Sequence, residues 1–248
     1  MNLETISMNK KSWEVVAERF FGRTALPEYG PFAPLEDELN LLGDLHGLNV
    51  LDIGCGSGHS LKYMDEMGAA EVWGLDLTPQ QIKAAQHVLK DTAAEVKLFE
   101  SPMENNPGIP ENHFDLVYSI YALGWTTNLE QTLTNIHTYL KPGGTFVFSW
   151  EHPLYSRINH VDGNLLLEKS YHEEGPYDHE AWQSTAIMQQ FKVSTYMNAL
   201  IKIGFTIERV VEEVVLPESD REKFTNSWYS CEKAEAVPTT LIIKSTKR

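Results

Sequence analysis

The sequence predicts an α/β fold built on a doubly wound sheet of seven strands. Strand-like and helix-like apolar patterns alternate along most of the chain, which is typical of such sheets. The apolar segment 49–53 leads into a glycine-rich turn at 54–58 that opens a helix, and the next strand is followed by the carboxylate of Asp76. A strand, a glycine turn and an acid at the tip of the next strand form the arrangement that holds an adenosine-bearing cofactor.

Each element follows from its apolar spacing and from the residues at its ends. Thr78 and Pro79 give an N-cap and a first-turn proline, Asn128 with Gln131 resembles a capping box, and Gly204 stops a helix. The predicted strands are 49–53, 71–75, 96–99, 114–119, 145–150, 205–215 and 239–244. The predicted helices are 34–45, 60–68, 78–89, 128–140 and 194–203. Residues 141–144 predict a turn, and residues 151–190 interrupt the alternation as an irregular stretch.

Composition and charge limit the classes of partner. The chain has 248 residues and a formal net charge of −15, and this charge argues against binding to nucleic acid, which requires a basic surface. No apolar stretch approaches the roughly 20 residues that cross a bilayer, and residues 1–11 contain no apolar signal core. Two cysteines do not make a disulfide framework. We therefore expect one cytoplasmic domain, monomeric or homodimeric, that binds neither nucleic acid nor a membrane.

The glycine spacing separates two classes of cofactor site. Gly54, Gly56 and Gly58 give G-x-G-x-G, whereas the dinucleotide fingerprint is G-x-G-x-x-G, and position 59 is His. The lysine-containing phosphate loop is also absent. With the preceding Asp52, this turn resembles motif I of the class I S-adenosylmethionine (SAM)-dependent methyltransferases. The resemblance covers residues 45–150 well and residues 190–248 more loosely.

The resemblance implies a Rossmann-like sheet whose last strand runs antiparallel beside the fifth, with SAM at its edge. Asp76 would hold the ribose hydroxyls, and Ser119 at the end of the fourth strand would lie beside the transferred methyl group. The family has an acid near adenine where this chain has Pro102, so we expect the backbone of Met103 and the Glu104 side chain to hold adenine. The full set of expected contacts is Asp52, Gly54, Cys55, Gly56, Gly58, Asp76, Leu77, Gln81, Met103, Glu104 and Ser119.

The N-terminal segment 1–34 is rich in aromatic residues and prolines. The resemblance implies that it folds over SAM as a lid, with Tyr29 reaching the cofactor's carboxylate or closing the pocket. The alternative is a helix whose aromatic side chains pack on the sheet.

The acceptor side is expected at the end of the fifth strand and in the insert 151–190. Glu151 and His152 follow that strand at the edge where α/β proteins bind ligands, and they are the candidate general bases. A histidine at a strand end also serves as a hydrogen-bonded structural residue.

Tyr121 and Trp125 are interpreted either as an aromatic wall of the pocket or as core residues. The insert also carries Tyr155, Tyr171, Tyr177, Trp182, His160, His172 and His179. Its acids and histidines lack compact metal-ligand spacing, so no metal is expected.

The leading hypothesis is in-line methyl transfer from SAM to an oxygen or nitrogen of a small-molecule acceptor. A non-catalytic SAM-binding or regulatory protein is the first alternative. A nicotinamide-dependent oxidoreductase is the second, and the spacing of the third glycine argues against it.

Overall fold

A computed structural model describes residues 3–161, 163–179, 185–216 and 228–248. These residues form eleven strands: β1 (Asn49–Ile53), β2 (Glu71–Asp76), β3 (Glu95–Glu100), β4 (Phe114–Ile120), β5 (Leu140–Glu151), β6 (Ile158–Val161), β7 (Asn164–Leu167), β8 (Gly175–His179), β9 (Ala186–Gln190), β10 (Phe205–Val211) and β11 (Thr240–Lys247). They also form seven α-helices: α1 (Leu3–Val16), α2 (Glu36–Leu39), α3 (His59–Glu66), α4 (Pro79–Val88), α5 (Leu129–Tyr139), α6 (Val193–Ile203) and α7 (Cys231–Ala234).

Seven strands form the central sheet, in the order β10-β11-β5-β4-β1-β2-β3. β1 pairs in parallel with β2 and β4, β2 with β3, and β4 with β5. β11 is antiparallel to both of its neighbours, β5 and β10. The doubly wound sheet and the antiparallel last strand beside the fifth are thus confirmed. Because parallel strands end at the same edge, the register brings the ends of β1, β2, β4 and β5 together there.

Both faces of the sheet are buried, as expected for parallel strands covered by helices. Phe146 and Phe148 of β5 point into the core on one face, which also contains Leu133 of α5. Val147 of the same strand points into the second core, beside Val50 of β1. This alternation is the period of two that a strand imposes on its side chains.

The predicted helix ends are confirmed by their hydrogen bonds. The Thr78 hydroxyl accepts from the Gln81 backbone N–H at 3.4 Å, and the Asn128 amide oxygen accepts from the Gln131 N–H at 3.1 Å. Gly204 ends α6 with φ at 114°. No helix among the described residues is long and apolar enough to span a bilayer.

The predicted helix over 34–45 is wrong in its extent, since only the single turn of α2 forms. Asn40 ends the helix in the left-handed conformation, with φ at 47°. The Glu36 carboxylate then accepts hydrogen bonds from the backbone N–H groups of Leu41 and Leu42, at 3.1 and 2.8 Å. These bonds hold the chain in a tight loop, so its leucines reach the core without a helix.

Several strand boundaries also differ from the prediction, and β11, for example, extends to Lys247 rather than ending at 244. β10 ends at Val211 rather than at 215. β5 begins at Leu140, and its register with β4 jumps between Phe114 and Leu116, so the predicted turn at 141–144 is a bulge within the strand.

The insert 151–190 contains regular structure where an irregular stretch was expected. β6 pairs with β7 and β8 with β9, each as an antiparallel two-stranded sheet. The N-terminal helix α1 packs on β9, where the Asn9 side chain exchanges two hydrogen bonds with the backbone of Ile187, at 2.8 and 2.7 Å. The N-terminal segment and the insert therefore contact each other directly.

Candidate active site

The glycine turn after β1 depends on left-handed backbone conformations. Gly54, Gly56 and Gly58 have φ values of 83°, 50° and 81°. A Cβ on Gly54 would lie 2.2 Å from the Cβ of Ala122, whereas a Cβ on Gly56 would meet no atom within 4 Å. Gly54 is therefore required by close packing, and Gly56 faces open space that a ligand can occupy.

Asp76, at the tip of β2, is tied to this turn. Its Oδ2 accepts from the Gly56 N–H at 3.0 Å, and its Oδ1 accepts from the N–H and hydroxyl of Thr78 at 3.0 and 3.2 Å. Burial raises the pKa of this carboxyl, and the backbone hydrogen bonds oppose the rise. Asp76 thus fixes the turn while its remaining lone pairs can accept from a ligand.

Asp52 lies buried beneath the turn on β1. Among the described residues its Oδ1 has no hydrogen-bond partner. Burial and the charge of Asp76 raise the pKa of Asp52 well above its usual range, against the effect of the Tyr118 hydroxyl. Two neighbouring carboxylates repel each other, which favours the protonated form of Asp52, and a cationic ligand bound nearby would relieve this repulsion. The sulfonium and ammonium groups of SAM fit this charge and the open space above Gly56.

Two other predicted cofactor residues near the turn have structural contacts. The Ser119 hydroxyl donates to the backbone oxygen of Ile53 at 2.8 Å, which joins β4 to β1. Burial raises the pKa of the Cys55 thiol, whose sulfur would lie 2.7 Å from a Cβ on Gly74. Cys55 is therefore a neutral packing group. Leu77 is half-buried directly after Asp76, and Gln81 is buried on α4.

The residues after β3 lie at the entrance to α5. The Glu104 carboxylate accepts from the hydroxyls of Thr126 and Thr127, at 3.0 and 2.9 Å, and from the Thr127 N–H. The Met103 carbonyl accepts from the Asn135 side chain at 3.2 Å. Glu104 therefore holds the loop before α5, and this contact would compete with a direct contact to adenine.

The N-terminal segment crosses the carboxyl edge of the sheet. The Gly22 N–H donates to the Ser57 hydroxyl and the Leu26 N–H to the Ser60 hydroxyl, both at 3.1 Å. Farther along, the Pro31 carbonyl accepts from the Thr240 hydroxyl at 3.1 Å. The segment thus runs from the glycine turn to β11, where a lid was expected.

Tyr29 lies within this segment, but its hydroxyl is already engaged. The side chain is fully buried and donates to Glu36 Oε2 at 2.6 Å. Burial and the charge of Glu36 raise its pKa. The structure therefore gives Tyr29 the task of anchoring the segment, and its hydroxyl is not directed to a ligand.

His152 does not have the geometry of a general base. Its Nδ1 accepts from the Leu154 N–H at 3.1 Å, so the ring proton lies on Nε2, which donates to Glu212 Oε1 at 2.8 Å. Burial lowers the pKa of the ring. Because both ring nitrogens are occupied, the structure supports the alternative interpretation of His152 as a hydrogen-bonded structural residue.

Glu151 lies at the same strand end with a different environment. The carboxyl group is buried and accepts from the indole N–H of Trp228. Burial raises its pKa, and hydrogen bonds from Trp228 and Tyr229 and the charge of Lys233 oppose the rise. A buried carboxylate of raised pKa at a ligand-binding edge is a candidate proton acceptor.

An aromatic cluster surrounds Glu151. Its members are Tyr121, Trp150, Tyr155, Trp228 and Tyr229. The rings of Tyr155 and Tyr229 stack with centroids 5.6 Å apart, and Tyr121 contacts Trp150 at 5.6 Å. Tyr121 therefore forms one wall of this aromatic cluster and also packs against the core residue Trp150. Sequence reasoning missed Trp228 and Tyr229, and the only signal was an aromatic pair just before Ser230, which caps α7.

Trp125 joins this wall to the N-terminal helix and the insert. Its ring lies edge-on to Trp13 at 5.3 Å, to Trp150 at 6.4 Å and to His179 at 5.8 Å. Trp182 of the insert lies outside the described residues. Within the described part of the chain, no group of three or more His, Cys, Asp or Glu side chains is placed to hold a metal ion.

Comparison with known proteins agrees with this geometry. The model of a family described as a methyltransferase domain matches residues 51–148. The crystal structure of an S-adenosylmethionine dependent methyltransferase from Mesorhizobium loti is 30% identical, with a TM-score of 0.69 over 84% of this chain and 95% of that one. A solved structure from Listeria monocytogenes is 27% identical, with a TM-score of 0.70 over 86% and 97% of the two chains. A Haemophilus influenzae protein is 29% identical over 84% of this chain and 85% of its own length.

These matches extend beyond the glycine turn to nearly the whole sheet. The chain belongs to the class I SAM-dependent methyltransferases.

Proposed function

We propose that this protein transfers the methyl group of SAM to an oxygen or nitrogen of a small-molecule acceptor bound against the aromatic cluster. The observation that carries the proposal is one shared sheet edge. The open glycine turn with its two carboxylates lies at the ends of β1 and β2, and Glu151 with its aromatic rings lies at the end of β5.

The glycine-turn side would hold the cofactor. Gly54, Gly56 and Gly58 shape the backbone beneath it, and Asp76 would offer its carboxylate to a cationic ligand, which in turn would favour the ionised form of the buried Asp52. Leu77 and Gln81 remain proposed contacts to the cofactor, and Met103 and Glu104 remain proposed contacts to its adenine. When bound, SAM supplies an electrophilic methyl group on a positively charged sulfur.

Glu151 would take the proton that the acceptor loses. An oxygen or nitrogen nucleophile attacks with a lone pair, and a nearby carboxylate that accepts its proton keeps that lone pair available. The aromatic cluster limits the access of water to Glu151, which is buried, and offers flat surfaces to the acceptor. The N-terminal segment covers the same edge from the glycine turn to β11.

The test is methyl transfer by the Glu151→Gln variant. A panel of phenols, amines and carboxylic acids is incubated with SAM carrying a labelled methyl group, and the products are identified by mass spectrometry. For any acceptor that the wild-type protein methylates, we expect turnover to fall about 100-fold in the variant, within the range for loss of a general base. The affinity for SAM should not change.

The pH dependence gives a second readout. Wild-type turnover should fall as the pH drops through the raised pKa of Glu151, because the protonated acid cannot accept a proton. Glu151→Gln should lack this acidic limb.

Glu212→Gln is the matched control, because it alters a nearby carboxylate that contacts His152. Its turnover and the pH dependence of that turnover should equal those of the wild-type protein. Full turnover in Glu151→Gln would remove Glu151 from the mechanism, and SAM binding without any methylated product would favour a non-catalytic SAM-binding protein.

A further inference from the structure

Lys233, on the short helix α7, carries an ammonium group with no conventional partner. The residue is only 2% exposed, and among the described residues its Nζ makes no hydrogen bond. An ammonium has three N–H donors, and burying them unused costs free energy. A buried polar group of this kind needs an explanation.

Two aromatic rings of the cluster face this ammonium. Nζ lies 3.7 Å from the centroid of the Tyr155 ring and 4.2 Å from that of Trp228. Cation–π contacts of this kind attract the charge but leave its N–H donors without an acceptor. Burial lowers the pKa of Lys233 to about 8, and the charges of Glu151 and Glu168 oppose that change.

Trp228 connects Lys233 to Glu151. Its indole N–H donates to Glu151 Oε2, and its ring lies against Lys233 Nζ. The two charged groups are thus bridged by a single indole side chain. Trp228 is 49% exposed, so the indole also borders solvent. Displacement of this one side chain would uncover a carboxylate and an ammonium within reach of one small molecule.

We infer that Lys233 is the anion-binding residue of the acceptor site, so that the acceptor carries a carboxylate or phosphate group in addition to the hydroxyl or amine that receives the methyl group. Anionic oxygens would accept the hydrogen bonds that Nζ leaves unused. The acceptor would replace the Trp228 indole between Lys233 and Glu151. This inference rests on the proposed function, since it names the class of substrate for the same site.

The first experiment tests the anion site without the natural acceptor. Acetate and inorganic phosphate are titrated at constant ionic strength, with chloride as balance, into protein labelled with ¹³C at lysine Cε. Lys233→Met identifies the Lys233 resonance. We expect one of the two anions to shift this resonance saturably and to raise the melting temperature. The rise in melting temperature should disappear in Lys233→Met, and both responses should persist in Lys202→Met, which removes an exposed lysine paired with Glu130.

Stability separates a binding role from a purely structural one. If Lys233 serves to bind the acceptor and not to stabilise the fold, Lys233→Met should raise the melting temperature of the ligand-free protein. The substitution removes a buried charge and keeps the side-chain length. For acceptors that carry the favoured anion, the same variant should raise KM at least tenfold, with little change in kcat at a pH above the acidic limb, where Glu151 is ionised in both proteins. Neutral analogues of those acceptors should be unaffected.

Two results would overturn the inference. One is a Lys233 resonance that responds to neither acetate nor phosphate. The other is a Lys233→Met variant that loses stability but keeps its anion response and KM, which would assign Lys233 to packing against Tyr155 and Trp228. A SAM titration on the same samples keeps the two proposals apart: failure to bind SAM contradicts the proposed function, whereas the anion response reports on Lys233 alone.

Discussion

The two halves of the active-site edge are built in different ways. On the glycine-turn side, Asp76 bonds to Gly56, which is 20 positions away in the sequence. On the Glu151 side, the carboxylate bonds to Trp228, 77 positions away, and Tyr155 bonds to Ser230 across 75 positions. The first half is local and depends on backbone conformation, whereas the second depends on where the folded sheet places distant segments. The glycine turn and its bond to Asp76 therefore follow from short-range sequence patterns, whereas most contacts of Glu151 could not be predicted from the sequence.

The largest effect should come from the glycine turn itself. Gly54→Ala combines a positive φ with a Cβ 2.2 Å from that of Ala122, so we expect the free energy of unfolding to fall by about 2–4 kcal/mol. SAM binding should be lost or severely weakened. Urea unfolding and calorimetric titration measure the two effects.

Gly56→Ala is the matched control in the same turn. It has a positive φ but open space around its Cβ, so it should cost about 1–2 kcal/mol of stability. Equal losses in the two variants would show that strain in the turn, rather than packing against Ala122, sets the requirement for glycine.

His152 provides a smaller effect than Gly54, confined to stability. His152→Ala removes hydrogen bonds to Glu212 and Leu154, and we expect about 1–3 kcal/mol less stability with turnover largely retained. A large loss of turnover in the folded variant would return His152 to the mechanism.

The pH dependence of stability supplies an independent check on His152. Its pKa is lowered in the fold, so the unfolded chain takes up a proton first as the pH falls. The contribution of His152 is therefore present above its unfolded pKa, near 6.5, and is lost progressively as the pH drops toward the lowered folded value. The wild-type protein should lose more stability over this window than His152→Ala, which can be measured by chemical unfolding at several pH values.

Features that depend on residues close together in the sequence could be predicted, whereas contacts between residues far apart in the sequence could not. The caps at Thr78 and Asn128 and the sheet order rest on short-range patterns or on the family resemblance, and the structure agrees with them. Asp76 lies at the tip of β2 as expected, and its contact with the ribose stays a prediction. The helix over 34–45 failed because Glu36 caps a loop through its side chain, which leucine spacing does not reveal. The role of Trp228 could not be predicted, because nothing near it in the sequence indicates Glu151 as its partner.

The smallest effect should come from the opposite edge of the sheet. Lys141 pairs with Asp115 at 2.8 Å, and both side chains are partly exposed, so Lys141→Met should cost less than about 1 kcal/mol. SAM affinity and turnover should remain at wild-type levels. A marked change in either would show that the two halves of the active site are coupled through β4 and β5, contrary to their separate construction.

The central claim is that the glycine-turn side binds SAM while the Glu151 side acts on the acceptor. Calorimetric titration of SAM into wild-type protein, Asp76→Asn and Glu151→Gln tests it most directly, with NAD as the competing ligand. We predict SAM binding at least tenfold weaker in Asp76→Asn, corresponding to about 1.5–3 kcal/mol for a hydrogen bond to a charged group, and unchanged in Glu151→Gln. Unchanged affinity in a folded Asp76→Asn protein, or binding of NAD in place of SAM, would contradict it.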